Sequence, residues 1–335
     1  MNILYVTDDK GVMFLGVSLE SLLENNLSHK DINIFVIDDG ITEKNKRLLD
    51  EEAERFQRKI TYIKKPEIKI LMGVEPDSRK WPDNIFCRLF LPTIFKDYKN
   101  IERIIYLDTD TIVTEDLSGL WNEDISGYPC GAVLECMSNL HKECIGLKMR
   151  DPYLNSGMLL IDINQWRELS LEEKCKDFGK THLSSLEYPD EGIINGVLQG
   201  KFKVLHPKYN NTTLKNAFSY SELKVYRKSA VMYSEEEYEE AVENPTIIHF
   251  TNSFMVDRPW IKDSKKPHRF SGLWREYQDK TVWRGELLNR KKASFRTAME
   301  SVARVVSRKV VVPVMGFFYC YIKPLKYLSK RVRIL

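Results

Sequence analysis

The stretch that decides the fold is residues 101–114, IERIIYLDTDTIVT, in which an apolar run ends in two acids. Residues 104–107 are rich in β-branched side chains and predict a buried strand. Asp108 and Asp110 follow at i and i+2, and such residues point to the same face in extended backbone. Two adjacent carboxylates repel each other unless a cation lies between them, and Mn²⁺ or Mg²⁺ accepts oxygen ligands. A turn is the alternative interpretation, because Asp and Thr are common where strands end.

Three further apolar runs, at residues 2–6, 32–37 and 59–64, predict strands separated by segments with helical spacing. Short strands that alternate with helices predict an α/β, Rossmann-like fold with a mainly parallel sheet flanked by helices. In such sheets ligands bind beyond the carboxyl ends of the strands. Asp8 and Asp108 both follow predicted strands, so we expect them at the same edge.

Three polar residues lie in apolar surroundings and have two interpretations each. Arg88 is the single charge in residues 84–95, which read as an apolar helix. It either forms a structural ion pair or reaches the metal or nucleotide site. Asp190 opens a predicted helix and either caps it or binds a ligand. His249 lies in a short apolar strand, where a histidine is more often a core residue than a ligand.

The composition predicts a globular protein with a basic tail. Of 335 residues, 43% are hydrophobic and 30% are charged, which excludes intrinsic disorder. Residues 290–335 carry a net charge of +11 and residues 1–289 carry −8, so the tail is expected to seek an anionic surface. The acidic body argues against nucleic acid as a partner. Six scattered cysteines form no CxxC, and the N-terminus has no signal-peptide pattern, which predicts a cytoplasmic protein with reduced thiols.

The tail has the pattern of an interfacial anchor. Residues 310–322 are apolar and aromatic, but these 13 residues include Pro313 and Gly316 and are too short to span a bilayer. With the amphipathic pattern of residues 293–309, they predict peripheral attachment to the inner face of the cell membrane. The alternative is a C-terminal helix packed on the domain with a basic, solvated face.

An ordered set of motifs resembles the retaining glycosyltransferases of family eight, which include glycogenin and the bacterial lipopolysaccharide galactosyl- and glucosyltransferases. The motifs are ILYVTDD at 3–9, RLFLP at 88–92, YLDTDTIV at 106–113, LNSGMLLID at 154–162, DEGIIN at 190–195, HF at 249–250 and RPW at 258–260. The resemblance covers about residues 1–280. It implies a GT-A catalytic domain over that range, followed by a membrane-associating tail at residues 281–335.

The resemblance also implies ligands and roles. The donor would be UDP-galactose or UDP-glucose, and the ion would be Mn²⁺, with Mg²⁺ as the second candidate. The implied metal ligands are Asp108, Asp110 and His249, a sensible donor set for Mn²⁺. The implied donor contacts are Val6, Thr7, Asp8, Arg88, Thr109, Asn155, Asp190 and Arg258. The candidate catalytic carboxylates are Glu135, Asp190 and Glu191. A covalent mechanism would use Glu191, or Asp190 by default, as nucleophile, whereas front-face attack needs none.

The sequence departs from the family pattern at three places. Lys10-Gly11 stands where the family usually has Asn-Tyr, whose Tyr stacks on uracil, so the stacking partner here is open. Glu191 stands where many members have Gln. In the loop after His249, Asn252 and Arg258 replace the usual Gly and Lys.

The predicted function is therefore a Mn²⁺-dependent retaining hexosyltransferase, membrane-associated, that acts on a bacterial surface glycan. The acceptor would be a lipopolysaccharide- or capsule-type glycan, free or lipid-linked. One alternative is a nucleotide-sugar-binding protein without transfer activity, which the departures at Gly11 and Glu191 keep open. Another is a protein-glycosylating transferase, against which the basic tail argues.

Overall fold

The computed structural model describes residues 1–75, 81–290 and 305–332, with no side chains described for 329–332. The strands are β1 (Asn2–Asp8), β2 (Asn33–Asp39), β3 (Ile60–Lys64), β4 (Arg103–Leu107), β5 (Thr111–Val113), β6 (Cys130–Leu134), β7 (Leu154–Asp162), β8 (Lys203–Val204), β9 (Asn211–Thr212) and β10 (Ile247–His249). The α-helices are α1 (Val12–Glu24), α2 (Glu43–Arg55), α3 (Ile68–Met72), α4 (Leu91–Ile94), α5 (Ser118–Trp121), α6 (Asn139–Cys144), α7 (Ile163–Glu168), α8 (Leu171–His182), α9 (Pro189–Leu198), α10 (Thr213–Ala217), α11 (Tyr220–Arg227), α12 (Glu235–Glu243), α13 (Ser271–Gln278), α14 (Arg308–Phe317) and α15 (Lys323–Val332).

The main sheet has the strand order β3-β2-β1-β4-β7-β6-β8. Strands β3, β2, β1 and β4 run parallel. The central side chains of β2, β1 and β4 are almost completely buried, as expected for strands covered on both faces, whereas the edge strand β3 is half-buried. The register pairs Leu4 with Tyr106, so β1 and β4 end side by side. This pairing brings Asp8 and Asp108 to one edge, as predicted, and the expected α/β fold is confirmed.

Strand β7 runs antiparallel to both β4 and β6 and makes the sheet mixed. Because of this direction, the beginning of β7 lies beside the end of β4, where Leu107 pairs with Met158. The backbone N–H of Asp108 donates to the carbonyl of Gly157 at 2.8 Å. The segment Asn155-Ser156-Gly157 therefore lies directly next to the two acids of the DxD pair.

A second, three-stranded sheet has the order β5-β10-β9. Strand β10 runs antiparallel to β5, with His249 opposite Thr111. The backbone N–H of Phe250 donates to the carbonyl of Asp110 at 2.9 Å. This pairing brings His249, from far downstream in the chain, to the end of β4.

The prediction of a single apolar helix over residues 84–95 is wrong. The structure has a 3₁₀ helix at Asp83–Leu89, followed by the short helix α4. Pro92 lies in the first turn of α4, where its missing N–H leaves no hydrogen bond unmade. Arg88 lies in the last turn of this 3₁₀ helix, and its side chain is only 5% exposed.

The C-terminal segment packs against the preceding part of the fold. Helix α14, a π-helical turn at Phe318–Ile322 and α15 follow one another, and Val311, Val312 and Cys320 are buried. A Cβ on Gly316 would lie 2.8 Å from the carbonyl oxygen of Val225, so α14 approaches α11 at backbone distance. The amphipathic pattern predicted at 293–309 falls mostly on residues 291–304, outside the described residues. All six cysteines lie in the described residues, and all are buried.

Candidate active site

The two acids of the DxD pair and one imidazole form a cluster at the end of β4. Nε2 of His249 lies 3.1 Å from Oδ1 of Asp110 and 3.8 Å from Oδ2 of Asp108. One ligand atom from each of the three residues lies within 4.8 Å of the others. Two carboxylates and an imidazole at this spacing suit a divalent cation that accepts oxygen and nitrogen ligands, such as Mn²⁺.

A buried amide sets the orientation of the imidazole. Nδ1 of His249 and Oδ1 of Asn210 are 3.0 Å apart, so Nδ1–H donates to the amide oxygen. Nδ2 of Asn210 in turn donates to Oδ1 of Asn155 at 2.7 Å, which fixes which amide atom faces the ring. The lone pair of Nε2 then faces the carboxylates, as metal-ligating histidines require.

Glycine at position 157 leaves the space that the imidazole occupies. A Cβ at this position would lie 2.2 Å from Cε1 of His249 and 2.9 Å from Oδ2 of Asp108. No side chain fits there without moving a member of the cluster. Both the donor set and this cradle fit the divalent cation that the motif implies.

Arg88 joins the cluster to the neighbouring acids. Its Nη2 lies 2.8 Å from Oδ1 of Asp108, its Nε lies 3.3 Å from Oδ2 of Asp190, and its Nη1 donates to the carbonyl of Ser156 at 2.6 Å. Burial opposes the charge, but Asp108, Tyr106 and Asp190 outweigh it and raise the pKa of Arg88. Both interpretations of Arg88 therefore apply, because it forms ion pairs and its partners Asp108 and Asp190 belong to the candidate site.

The environments of the two DxD acids differ. Loss of solvent raises the pKa of Asp108, although Arg88 and His249 oppose the rise. Asp110 also loses solvent, but His249 and Arg258 outweigh this and lower its pKa. Nη2 of Arg258 lies 3.4 Å from Oδ2 of Asp110, and so Arg258 lies at the cluster.

A second group of polar side chains lines a cleft of about 880 Å³ on one side of the cluster. Nδ2 of Asn155 donates to Oε2 of Glu135 at 3.3 Å, and the Ser156 hydroxyl donates to Asp190 at 3.1 Å. Asp190 is in the first turn of α9, but the contacts of its side chain are with Arg88 and Ser156. The capping alternative for Asp190 is therefore wrong.

Glu191 is a buried carboxyl in the same cleft. Burial raises its pKa well above the ordinary value, and the charges of Glu135 and Asp190 raise it further. The backbone N–H of Ser156 donates to Oε2 of Glu191 at 3.3 Å. The cleft therefore favours the protonated form of Glu191 more than solvent would.

A second cleft of about 830 Å³ also adjoins the cluster. Its lining includes the predicted donor contacts at the end of β1, the residues of the DxD motif and two aromatic side chains, namely Val6, Thr7, Asp8, Thr109, Asp110, Phe14 and Trp260. Oδ1 of Asp8 accepts from the backbone N–H of Gly11 at 3.0 Å. The rings of Phe14 and Trp260 are 4.5 Å apart and provide the aromatic surface that Gly11 lacks.

The structure adds residues that the sequence did not indicate. Asn210 is completely buried and orients His249, and Tyr106 donates its hydroxyl hydrogen to Asp108 at 2.8 Å. Arg227 lies beside Glu135, with 3.5 Å between Nη2 and Oε1. The one signal for Asn210 is the polar run Tyr209-Asn210-Asn211 ahead of a helix, which has no periodicity that indicates a site.

Comparisons with known proteins identify the family. Residues 2–263 match the sequence profile described as Glycosyl transferase family 8. General stress protein A of Bacillus subtilis (strain 168) is 30% identical over 285 residues, 84% of this chain and 94% of that protein. A lipopolysaccharide 1,2-glucosyltransferase of Escherichia coli (strain K12) is 26% identical over 274 residues, 78% of this chain and 73% of that protein.

A solved structure agrees with the fold. The galactosyltransferase LgtC, in complex with donor and acceptor sugar analogs, matches with a TM-score of 0.70 and 21% identity. The match covers 86% of this chain and 100% of that chain, and it supports a GT-A-like fold. With the profile match over most of its length, this chain belongs to glycosyl transferase family 8.

Proposed function

We propose that this protein is a retaining glycosyltransferase that moves galactose or glucose from a UDP-sugar to a bacterial surface glycan, with Mn²⁺ at the DxD cluster. The observation that carries the proposal is that two clefts meet at one cluster. Arg88, Asp108, Asp110 and Arg258 line both clefts. A nucleotide diphosphate sugar has this shape, with a base at one end, a sugar at the other and a charged diphosphate between them.

The chain's residues divide into three roles in this proposal. Asp8 and the aromatic pair of Phe14 and Trp260 bind the uracil end, and Arg258 donates to the diphosphate. Asn155 donates to and accepts from sugar hydroxyls, and the carboxylates of Glu135 and Asp190 accept from them. Asp108, Asp110 and His249 hold the cation, which when bound stabilises the leaving UDP as a Lewis acid.

The proposed reaction follows a front-face path. The acceptor hydroxyl attacks the anomeric carbon on the face from which UDP departs, and its proton passes to the departing phosphate oxygen. Glu191 stabilises the oxocarbenium-like state and forms no bond to the sugar. Burial and the charges of Glu135 and Asp190 raise the pKa of Glu191, which makes its carboxyl less available as a nucleophile and supports this role.

A Glu191→Gln substitution is expected to keep transfer within roughly tenfold of the wild-type rate, because the front-face path needs no carboxylate nucleophile and the amide has a similar shape. The measurement is the initial rate of UDP release with saturating acceptor. A nucleophilic role predicts instead a loss of more than about 10³-fold. That loss, or a glycosyl adduct on Glu191 in the intact mass spectrum, would contradict the front-face path.

The function itself is tested with a panel of UDP-sugars, each assayed for UDP release with and without MnCl₂ and with lipid-linked glycan acceptors. The proposal predicts metal-dependent release from UDP-galactose or UDP-glucose that the acceptor accelerates. Binding of UDP-sugar with no release under any condition would favour the binding-protein alternative. Release that requires a protein acceptor would favour the protein-glycosylating alternative.

We further propose that the tail binds an anionic lipid surface on the inner face of the cell membrane. Seven exposed apolar side chains form a stripe along α14 and the following turns, namely Val310, Val314, Phe317, Phe318, Tyr321, Ile322 and Leu325. The exposed Lys309 and Lys326 flank this stripe, and each base near anionic lipid contributes about 1 kcal/mol to binding. None of the helices in residues 1–75, 81–290 and 305–332 has the length and apolar character to cross a bilayer.

Replacing Phe317 and Phe318 by Ser is expected to weaken binding to anionic vesicles by roughly tenfold or more, because two aromatic side chains leave the interface. Cosedimentation at low salt with phosphatidylglycerol vesicles measures this, with phosphatidylcholine vesicles as the neutral comparison. A Leu27→Ser variant, which changes an exposed apolar residue outside the stripe, is the control. If the full-length wild type does not cosediment with anionic vesicles, the tail is not a lipid anchor.

A further inference from the structure

The C-terminal segment also forms part of the wall of the sugar cleft. Tyr319, in the π-helical turn Phe318–Ile322, is 6% exposed and lines the same cleft as Glu135, Asn155 and Glu191. Its ring stacks on His141 with centroids 4.7 Å apart. The face of this segment opposite the exposed stripe thus lies against the catalytic residues.

The ring of Tyr319 supports a buried guanidinium. The Cζ atom of Arg227 lies 4.0 Å from the ring centroid, and Nη2 lies 3.5 Å from Oε1 of Glu135. Nε and Nη1 of Arg227 have no hydrogen-bond partner among the described residues. A buried cation with so few hydrogen bonds depends on the ring face for compensation. Removing the ring would let Arg227 shift, and Glu135 with it.

Glu135 connects this contact to the centre of the site. It accepts from Nδ2 of Asn155, whose Oδ1 accepts from Asn210, which in turn accepts from His249. The chain of hydrogen bonds therefore runs from the cleft wall to the imidazole of the metal cluster. A displaced Glu135 would disturb the sugar end of the cleft first.

A second contact ties the same segment to the loop that precedes the catalytic acids. Lys323 forms an ion pair with Glu187, a buried carboxylate three residues before Asp190. Nε2 of His141 lies 3.2 Å from the same carboxylate. The C-terminal segment thus contacts Arg227 in the cleft wall and, through Glu187, the loop that leads to Asp190.

We infer that Tyr319 is a positioning residue for transfer, acting through Arg227 and Glu135 on the bound sugar. The inference rests on the proposed transferase function. The same short segment would then both bind the membrane and position the sugar, because the stripe and Tyr319 lie on opposite faces of the same helical turns. Contact of the stripe with an acceptor-bearing surface would then occur next to the sugar that is transferred.

The test compares Tyr319→Leu, which removes the aromatic face, with Tyr319→Phe, which keeps it. We expect Tyr319→Leu to lower kcat for transfer by roughly 10- to 100-fold, the size typical of small misplacements at a reacting centre. The Kd for UDP should stay unchanged, because Tyr319, Arg227 and Glu135 do not line the nucleotide cleft. Tyr319→Phe should restore kcat. Tyr128→Leu, at an exposed tyrosine outside both clefts and outside the stripe, is the matched control and should retain the wild-type rate.

Two outcomes would overturn the inference: unchanged kcat in Tyr319→Leu, or equal loss in the Leu and Phe variants. Hydrogen–deuterium exchange of residues 133–136 and 186–192 gives a readout that needs no substrate. Exchange there should rise in Tyr319→Leu and stay at the wild-type level in Tyr319→Phe and Tyr128→Leu. If the wild type releases UDP from no sugar, the proposed function fails, whereas unchanged exchange in Tyr319→Leu shows that the contact itself does not order the cleft.

Discussion

An Asp110→Asn variant is expected to lose roughly three orders of magnitude in transfer rate while keeping its fold, since Lewis-acid stabilisation is worth several kcal/mol and each 1.36 kcal/mol is tenfold in rate. Asparagine has nearly the same shape, and the backbone pairing of Asp110 with Phe250 is unaffected. The amide lacks the charge that faces His249 and Arg258. The variant should therefore lose its affinity for the cation.

The measurement is UDP release over a range of MnCl₂ concentrations, with circular dichroism as the check on folding. Asp97→Asn, a substitution of an exposed acid with no role in either cleft, is the matched control and should have the wild-type rate. The wild type in EDTA should behave like Asp110→Asn. Near-normal turnover in the variant or in EDTA would remove the cation from the mechanism.

Replacing Arg88 by Met is expected to lower the free energy of unfolding by about 3–5 kcal/mol, the cost of leaving a buried charge without its partner. Asp108 and Asp190 would both lose the guanidinium that compensates them. Transfer should also fall, because both acids line the site. The free energy of unfolding of Arg88→Lys should lie between those of the wild type and Arg88→Met, since lysine keeps the charge and loses the forked hydrogen bonds.

Denaturant unfolding followed by tryptophan fluorescence measures this change. Arg269→Met is the control, because Arg269 pairs with Glu243 at the surface, where an ion pair contributes about 1 kcal/mol or less. If Arg88→Met unfolds within about 1 kcal/mol of the wild type, Arg88 does not neutralise these acids. Should Arg88→Met fail to fold, Arg88→Lys still gives the sign of the effect.

Much of the fold could be predicted because it depends on local patterns. The runs that became β1, β2 and β4 are apolar and β-branched, and they alternate with helical spacing. The direction of β7 could not be predicted, since an apolar run reads the same in either direction. The helix expected around Arg88 was wrong because the apolar spacing does not distinguish a 3₁₀ turn from an α-helix.

The candidate site also combines residues that local sequence predicts with residues that it does not. Asp108 and Asp110 are two residues apart, so local geometry alone predicts that they act together. His249 reaches them only through the pairing of β10 with β5, and the sequence indicated it through the family resemblance. Asn210, Arg227 and Tyr319 act through tertiary contacts between segments far apart in sequence. No periodicity or motif indicates such contacts.

The central claim is that the cluster of Asp108, Asp110 and His249 binds a divalent cation between the two clefts. The most direct test is anomalous diffraction at the manganese edge from crystals grown with MnCl₂ and UDP. The account predicts a peak in contact with both carboxylates and with Nε2 of His249, and a uracil ring beside Asp8. Bound UDP with no peak at the cluster, or with His249 turned away from it, would contradict the account.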